Sequence, residues 1–293
     1  MPDSETVGRL RRFLRHPWML LPVKVVLVVA PVVLVSVLAH GSLHASPALV
    51  EYLADPMAVL LAIALFVLYT RRVEGRAVTE LDPAPAPIEI GVGFVGGLLL
   101  FTLVIGTLAA LGAYHIVGYN HASIIFKPLV SGLLTGVSEE LLVRGVLFRI
   151  AEDSLGSYWA LVITAVFFGA AHLGNPHATL LAGTAITIEA GIMLAAAYML
   201  TRRLWLPIGL HAGWNFTQGG LFGVAVSGNA SHGLLQGTLT GPVWLSGGEF
   251  GAESSVVAII FCGLLGIAVL MRARQLGHVR APYWQRLPPA ISA

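Results

Sequence analysis

Eight apolar stretches separated by breakers constrain this chain more than any other feature. They run from Met19 to Ala39, Ala48 to Thr70, Ile90 to Val117, Ile124 to Ile150, Tyr158 to Leu173, Leu180 to Leu200, Leu204 to Val224, and Val256 to Met271. A helix needs about 20 mostly apolar residues to cross a hydrocarbon core, so the pattern predicts about eight transmembrane helices. A closed β-barrel would instead show segments of about 10 residues alternating in polarity, and none is visible. Only 11% of the 293 residues are charged, against about 25% in a soluble domain. The expected fold is therefore all-α, a single polytopic membrane helix bundle. The first run is long for a signal peptide, and Ala39 to His44 offers a poor cleavage site, so it reads as a retained anchor.

The basic residues set the orientation. Arg9, Arg11, Arg12 and Arg15 precede the first run; Arg71, Arg72 and Arg76 follow the second; Arg202 and Arg203 follow the sixth; Arg272, Arg274, Arg280 and Arg286 follow the eighth. Placing the first group in the cytoplasm puts every later group, and both termini, on that side. Lys24, Arg144 and Arg149 fall toward inner helix ends, and Lys127 alone falls near the outer side. Fifteen Arg to two Lys, with abundant Ala, Gly and Val, points to a bacterium and its cell (inner) membrane. The net charge of +2, spread along the chain, argues against a nucleic-acid partner. The single Cys262 excludes a disulfide within the chain and a thiolate metal cage.

Four regions are expected. Residues 1–78 form an N-terminal cytoplasmic segment and a two-helix hairpin, and residues 79–89 a linker that Pro83, Pro85 and Pro87 keep extended. Residues 90–273 form a six-helix core and residues 274–293 a cytoplasmic tail. The polar, Gly-rich segment Ser227 to Ser255 is long enough to cap the bundle on its outer side. Within it, Asn229-Ala230-Ser231 matches a glycosylation sequon, too short a pattern to assign a function.

Polar residues interrupt the apolar runs at a few places. The fourth contains Ser138-Glu139-Glu140-Leu141-Leu142-Val143-Arg144-Gly145. Each charge at a helix centre costs about 2.5–3.5 kcal/mol on insertion scales, so such residues need compensation or a function. Glu140 and Arg144, four apart, share a helix face and suit an ion pair. Glu139 points a quarter-turn away, toward a cavity where it can act as a base. The plainer alternative is a buried ion pair with a spare carboxylate. His172 ends the fifth run, four residues after Phe168; His211 and Asn215 share one face of the seventh. Alone, such a pair serves as well for helix-to-helix hydrogen bonding, at about 0.6 kcal/mol each. Glu189 either lines the same cavity or bonds to backbone. Glu51 and Asp55 are expected at a solvated helix end, and Tyr158, Trp159, Trp205 and Trp244 in interfacial belts.

Glu139, Glu140, His172, His211 and Asn215 supply the parts of a water-activating hydrolase. A Glu acting with a His removes a proton from water, and a second His with an Asn donates to the oxyanion of an attacked amide. No Ser in a G-x-S-x-G context, Cys nucleophile or H-E-x-x-H zincin motif accompanies them. Two His with one or two Glu also suit a zinc site with an open position.

The ordered set Glu139-Glu140-x-x-x-Arg144, Phe168-x-x-x-His172 and His211-x-x-x-Asn215, each in its own apolar run, resembles the three motifs of the CPBP (Abi) family. These are intramembrane proteases that include type II CAAX prenyl endopeptidases and bacterial proteins linked to bacteriocin processing and self-immunity. The resemblance spans about Phe126 to Phe222, a third of the chain. It implies that Glu139 and His172 activate water, that His211 and Asn215 form the oxyanion hole, and that Glu140 and Arg144 support the site. Members are customarily described as metalloproteases, although a metal-free glutamate mechanism is also argued for the fold. If a divalent metal, zinc, is used, Glu139, His172 and His211 are its ligands. The implied substrate is a membrane-associated peptide or protein in the lipid bilayer. The competing readings are a transporter or self-immunity protein that uses the cavity for binding, and a structural scaffold. Transporters often show an inverted repeat with broken helices, and none is visible here.

Overall fold

The computed structural model describes residues 17–38 and 46–286. The first arginine group, the junction from Ala39 to His44 and residues 287–293 of the tail lie outside the described residues. Each of the eight apolar runs contains a helix. These are α1 (Pro17–Val37), α2 (Asp55–Arg72, led in by Pro47–Leu49 and a π-helical Val50–Ala54) and α3 (Ala86–Ala110). Next come α4 (Phe126–Glu140, continued by π-helical Leu141–Phe148 and by Arg149–Leu155) and α5 (Ser157–Ala171). They are followed by α6 (Leu180–Ile186, π-helical Thr187–Ile192, Met193–Thr201), α7 (Trp205–Asn215, then π-helical Phe216–Leu221) and α8 (Val256–Gln275).

Six of these, α1, α2, α3, α5, α6 and α8, are long and apolar enough to cross a membrane. The other two are α4, whose apolar middle holds Glu139, Glu140 and Arg144, and α7, which has eleven α-helical and six π-helical residues. Hydropathy thus passes over the two helices that carry most of the polar motifs.

The chain is a predominantly helical bundle, as expected, and one apolar run differs in its extent. The apolar run from Ile90 to Val117 is not all helix. Its helix stops at Ala110, Gly112 turns the chain at φ +72°, and Tyr114–Tyr119 becomes strand β1. β1 pairs antiparallel with β2 (Leu235–Leu239), from Tyr114 opposite Leu239 to Tyr119 opposite Leu235, with an irregularity between Ile116 and Gly118. Tyr, Ile and Val suit strands, and a short apolar run cannot by itself separate strand from helix. The proline-rich segment also differs from an extended linker. It forms a short 3₁₀ turn at Thr79–Leu81, and α3 begins at Ala86 with Pro87 in its first turn, where a missing N–H costs no helical hydrogen bond.

Glycines position α7, the helix that bears His211 and Asn215. Gly93 and Gly97 of α3 lie against α7, where an added Cβ would fall 2.7 Å from the Leu210 nitrogen and 2.6 Å from that of Trp214. Gly209 and Gly213 of α7 lie reciprocally against Ile90 and Phe94. On the α4 side, Gly132 and Gly136 approach Ala212 and Ile208 carbonyls, with 3.3 and 3.2 Å available to a Cβ. Three glycine pairs spaced four apart therefore allow close backbone packing of α7 on both neighbours. Positions 209 and 213 lie about 200° around the helix from position 211, so the glycine face seals α7 to α3 while His211 and Asn215 face elsewhere.

The N-terminal helices join the same core. Val28 of α1 and Phe66 of α2 are buried in one apolar cluster with Leu141, Val146 and Phe148 of the long α4 helix and Tyr198 of α6.

Candidate active site

Glu139 and Glu140, adjacent in sequence, have opposite environments. The Glu140 side chain is fully buried, and its Oε1 accepts a hydrogen bond from Arg144 Nη1 at 2.7 Å. Arg144, also fully buried, donates through Nη2 to the Ala190 and Gly191 carbonyls of α6, at 2.7 and 3.2 Å. Its guanidinium lies 5.0 Å from the centre of the Phe168 ring. Arg144 therefore ties α4 to α5 and α6 through one charge, and the ring face contributes a cation–π attraction. The Glu139 side chain remains a third exposed and lines an open cavity of about 670 Å³.

His172, His211 and Asn215 line the same cavity. His172 caps the C-terminus of α5, where the chain tightens into a 3₁₀ turn at His172–Gly174. Its Nδ1 lies 2.8 Å from the Phe168 carbonyl. A carbonyl only accepts, so Nδ1 carries the hydrogen and Nε2 keeps its lone pair. His211 Nδ1 lies 3.1 Å from Glu140 Oε1, and its Nε2 lies 4.0 Å from Glu139 Oε2. The Phe168 ring spaces the two histidines, 4.6 Å from the His172 ring and 6.3 Å from that of His211. The four groups belong to three helices, α4, α5 and α7.

Three π-helical segments border the site: Leu141–Phe148 just after the two glutamates, Thr187–Ile192 around Glu189, and Phe216–Leu221 just after Asn215. π-Bulges recur at functional sites. Here the segment in α6 contains the two carbonyls that receive Arg144.

The connection between α7 and α8 completes the cavity. Ser227, Asn229, Ser231 and His232 line it, together with Ser123, Lys127, Ser131 and Thr135 from the start of α4. The expected cap is thus part of the site, and the sequon residues form part of its wall. No spacing in the sequence marks this lining. Ser227 has φ +48°, its N–H donates to Glu253 Oε1, and its carbonyl accepts from Asn175 Nδ2 at 3.1 Å. The loop is thereby bound to the turn that follows His172.

Behind these residues lies a second, much smaller cavity of about 30 Å³, bordered by His172, His211, Asn215, Glu189 and Glu253. Glu189 is 2% exposed, and neither carboxyl oxygen has a hydrogen-bond partner among the described residues. Of the two expectations for Glu189, the structure shows a cavity wall, but of this second cavity. Glu253, in the loop ahead of α8, escaped sequence reasoning because it lies outside the apolar runs. Burial pushes its carboxyl up to about 7, against hydrogen bonds that lower it, the Ser227 N–H first.

Elsewhere, Glu51 accepts an ion pair from Lys127 at 3.0 Å. Tyr158, Trp159 and Trp244 are exposed, and Trp205 Nε1 donates to the Asp82 carbonyl at 2.6 Å.

A zinc ion would require Glu139, His172 and His211 to converge. Among the described residues no three His, Cys, Asp or Glu side chains are grouped to hold a metal. His211 Nδ1 is directed to Glu140 and His172 Nδ1 to its own helix, which leaves both Nε2 atoms free, as in histidines that bind a metal; the steps proposed for this site use the chain's own side chains.

Comparison with known proteins agrees with the motif order. The family of Rce1-like type II CAAX prenyl endopeptidases matches residues 121–217, about a third of the chain. The matched stretch is similar to an Rce1-like domain and contains all three motifs, in keeping with the CPBP resemblance. With the apolar helices, it supports an integral membrane protein and a membrane endopeptidase of the intramembrane protease class. No curated protein and no solved structure matches the chain.

Proposed function

We propose that the protein hydrolyses a peptide bond in a membrane-associated peptide or protein, with water activated by Glu139 and His172 and the oxyanion received by His211 and Asn215. The observation that carries this reading is the shared lining of one open cavity by these four side chains, with Glu140 and Arg144 sealed behind them.

Water held by Glu139 and His172 Nε2 gives up a proton as its oxygen bonds to the scissile carbonyl carbon. The carbonyl oxygen becomes an oxyanion, to which Asn215 Nδ2 and His211 Nε2–H donate. Because His211 Nδ1 is committed to Glu140, donation from Nε2 requires the imidazolium, which lies between the Glu140 and Glu139 carboxylates. The proton taken from water then passes to the amide nitrogen, the C–N bond breaks, and a carboxylic acid and an amine leave. In this reading the arginine-rich ends, and both termini, face the cytoplasm of a bacterial cell.

The test compares membrane peptides from cells carrying wild type and Glu139→Ala by mass spectrometry, with metal analysis of the purified protein. Peptides cleaved only in wild type, and cleavage that persists after chelation, are expected. Identical peptide sets would sink the assignment of Glu139, and cleavage lost on chelation and restored by zinc would replace the metal-free mechanism.

A further inference from the structure

Asn215 borders both cavities, the large open one of about 670 Å³ and the small one of about 30 Å³ behind it. None of the hydrogen bonds surrounding it, from His172, Asn175, His211 and Gln218, reaches its carboxamide. If Nδ2 is to donate into the open cavity, Oδ1 must face the other way and needs a donor there. A carboxylate only accepts, so an ionised Glu189 or Glu253 cannot supply one directly.

The small cavity can. Its volume exceeds the roughly 10–15 Å³ that a water requires. Glu189 is buried against it with both oxygens unpartnered, and the Ser227 N–H holds Glu253 beside it. A water has two hydrogens, one for a Glu189 oxygen and one for Asn215 Oδ1. Two like charges so close inside a bundle are unfavourable, so one carboxyl keeps a proton and donates within the same network.

We propose that Glu189 and Glu253 form a second polar centre that holds one water in the small cavity and through it turns the Asn215 carboxamide so that its NH₂ faces the scissile bond. Glu189 and Glu253 are then positioning residues for the oxyanion hole. The inference rests on the proteolytic reading of the site above. It assigns a purpose to two buried carboxyls that the hydrolytic steps leave unused.

The experiment measures kcat and KM for a cleaved peptide with full-length protein in lipid nanodiscs, for wild type, Glu189→Leu, Glu189→Gln and Glu139→Gln. Glu189→Leu should lower kcat about 100-fold, the scale of a misplaced reacting group, with KM unchanged. Glu189→Gln still hydrogen-bonds the water and should recover most of that loss. A high-resolution structure of wild type should show the water between Glu189 and Asn215 Oδ1. Full kcat in Glu189→Leu alongside an inactive Glu139→Gln overturns this inference and leaves the protease reading intact. Cleavage by Glu139→Gln at the wild-type rate overturns the reading itself. If Glu189→Leu does not fold, the wild-type structure decides: a dry cavity, or Oδ1 facing the open side, overturns the inference.

Discussion

At the end of the bundle where α1 and α2 meet α4, Lys24 pairs with Glu74, Arg76 reaches Glu74 and Glu80 at 2.8 and 2.7 Å, and Arg149 reaches Glu80 at 2.9 Å. Nearby, Arg202 donates to Glu152 at 2.8 Å, Arg203 pairs with Glu89, and Arg280 reaches Asp153 at 3.1 Å. Around the open cavity, by contrast, Glu139 Oε2 is buried without a hydrogen-bond partner. The first cluster matches charges from different helices, so its electrostatics go into architecture. The second leaves the Glu139 acceptor unsatisfied at the cavity, where a substrate or a water can complete it. Unpartnered buried groups are costly and occur at both ends, at Tyr69, Thr70 and Glu89 as well as at Glu139, Glu140 and Glu189; what sets the site apart is that Glu139 lines a cavity large enough for a substrate.

The contrast can be broken most directly at the two adjacent glutamates. Glu139→Gln should lower kcat/KM by about 10²–10⁴-fold, the range for a general base, with the thermal midpoint held. Glu140→Ala should do the reverse in emphasis. It leaves Arg144 buried and unpaired, a loss of about 3–5 kcal/mol that denaturant unfolding in detergent would register. Equal behaviour of the two variants would erase the distinction between them.

Asn215→Ala should reduce kcat by about 10²–10³-fold, as expected for loss of one oxyanion donor, with little effect on KM. A KM effect alone would move Asn215 from the transition state to substrate binding. In the paired cluster, Arg149→Ala should cost on the order of 1 kcal/mol and leave kcat intact; a large fall in kcat would show that the two clusters are coupled.

The smallest effects are in pH dependence. Burial raises Glu253 from 4.5 to about 7, so the folded protein binds that proton more tightly than the unfolded chain. The associated stability is complete below pH 4.5 and lost as pH rises through about 7, following proton linkage. Glu74 has the opposite sign. Burial opposes its ionisation, but the Lys24 hydrogen bond and the charges of Lys24, Arg149 and Arg76 hold it below 4.5. Its contribution is present above 4.5 and lost on acidification. Thermal midpoints across this range should lose the fall between pH 4.5 and 7 in Glu253→Gln and the acid-side fall in Glu74→Gln.

Much of the bundle was legible because hydrocarbon imposes a strict length and polarity rule on each helix. The same rule made Glu139, Glu140, Arg144, His172, His211 and Asn215 conspicuous. Helical periodicity then separated Glu140, beside Arg144, from Glu139, and the structure has the first sealed and the second open to the cavity. The strand at Tyr114–Tyr119 was illegible because apolar residues near a helix end fit either conformation. The glycine pairs at 93 and 97, 132 and 136, and 209 and 213 were present as a spacing, but which helices they join depends on topology.

The sequence by itself determined that this is a membrane bundle, which residues in it are too polar to be there without a reason, and which of them share a helix face. These are properties of single segments in a medium that penalises charge. Only the tertiary structure decided that α7 lies between α3 and α4, that the loop from Ser227 closes the site, and that Glu189 meets Glu253 behind Asn215. Those relations join residues far apart in the chain, and close packing between helices, which no local pattern encodes, brings them together.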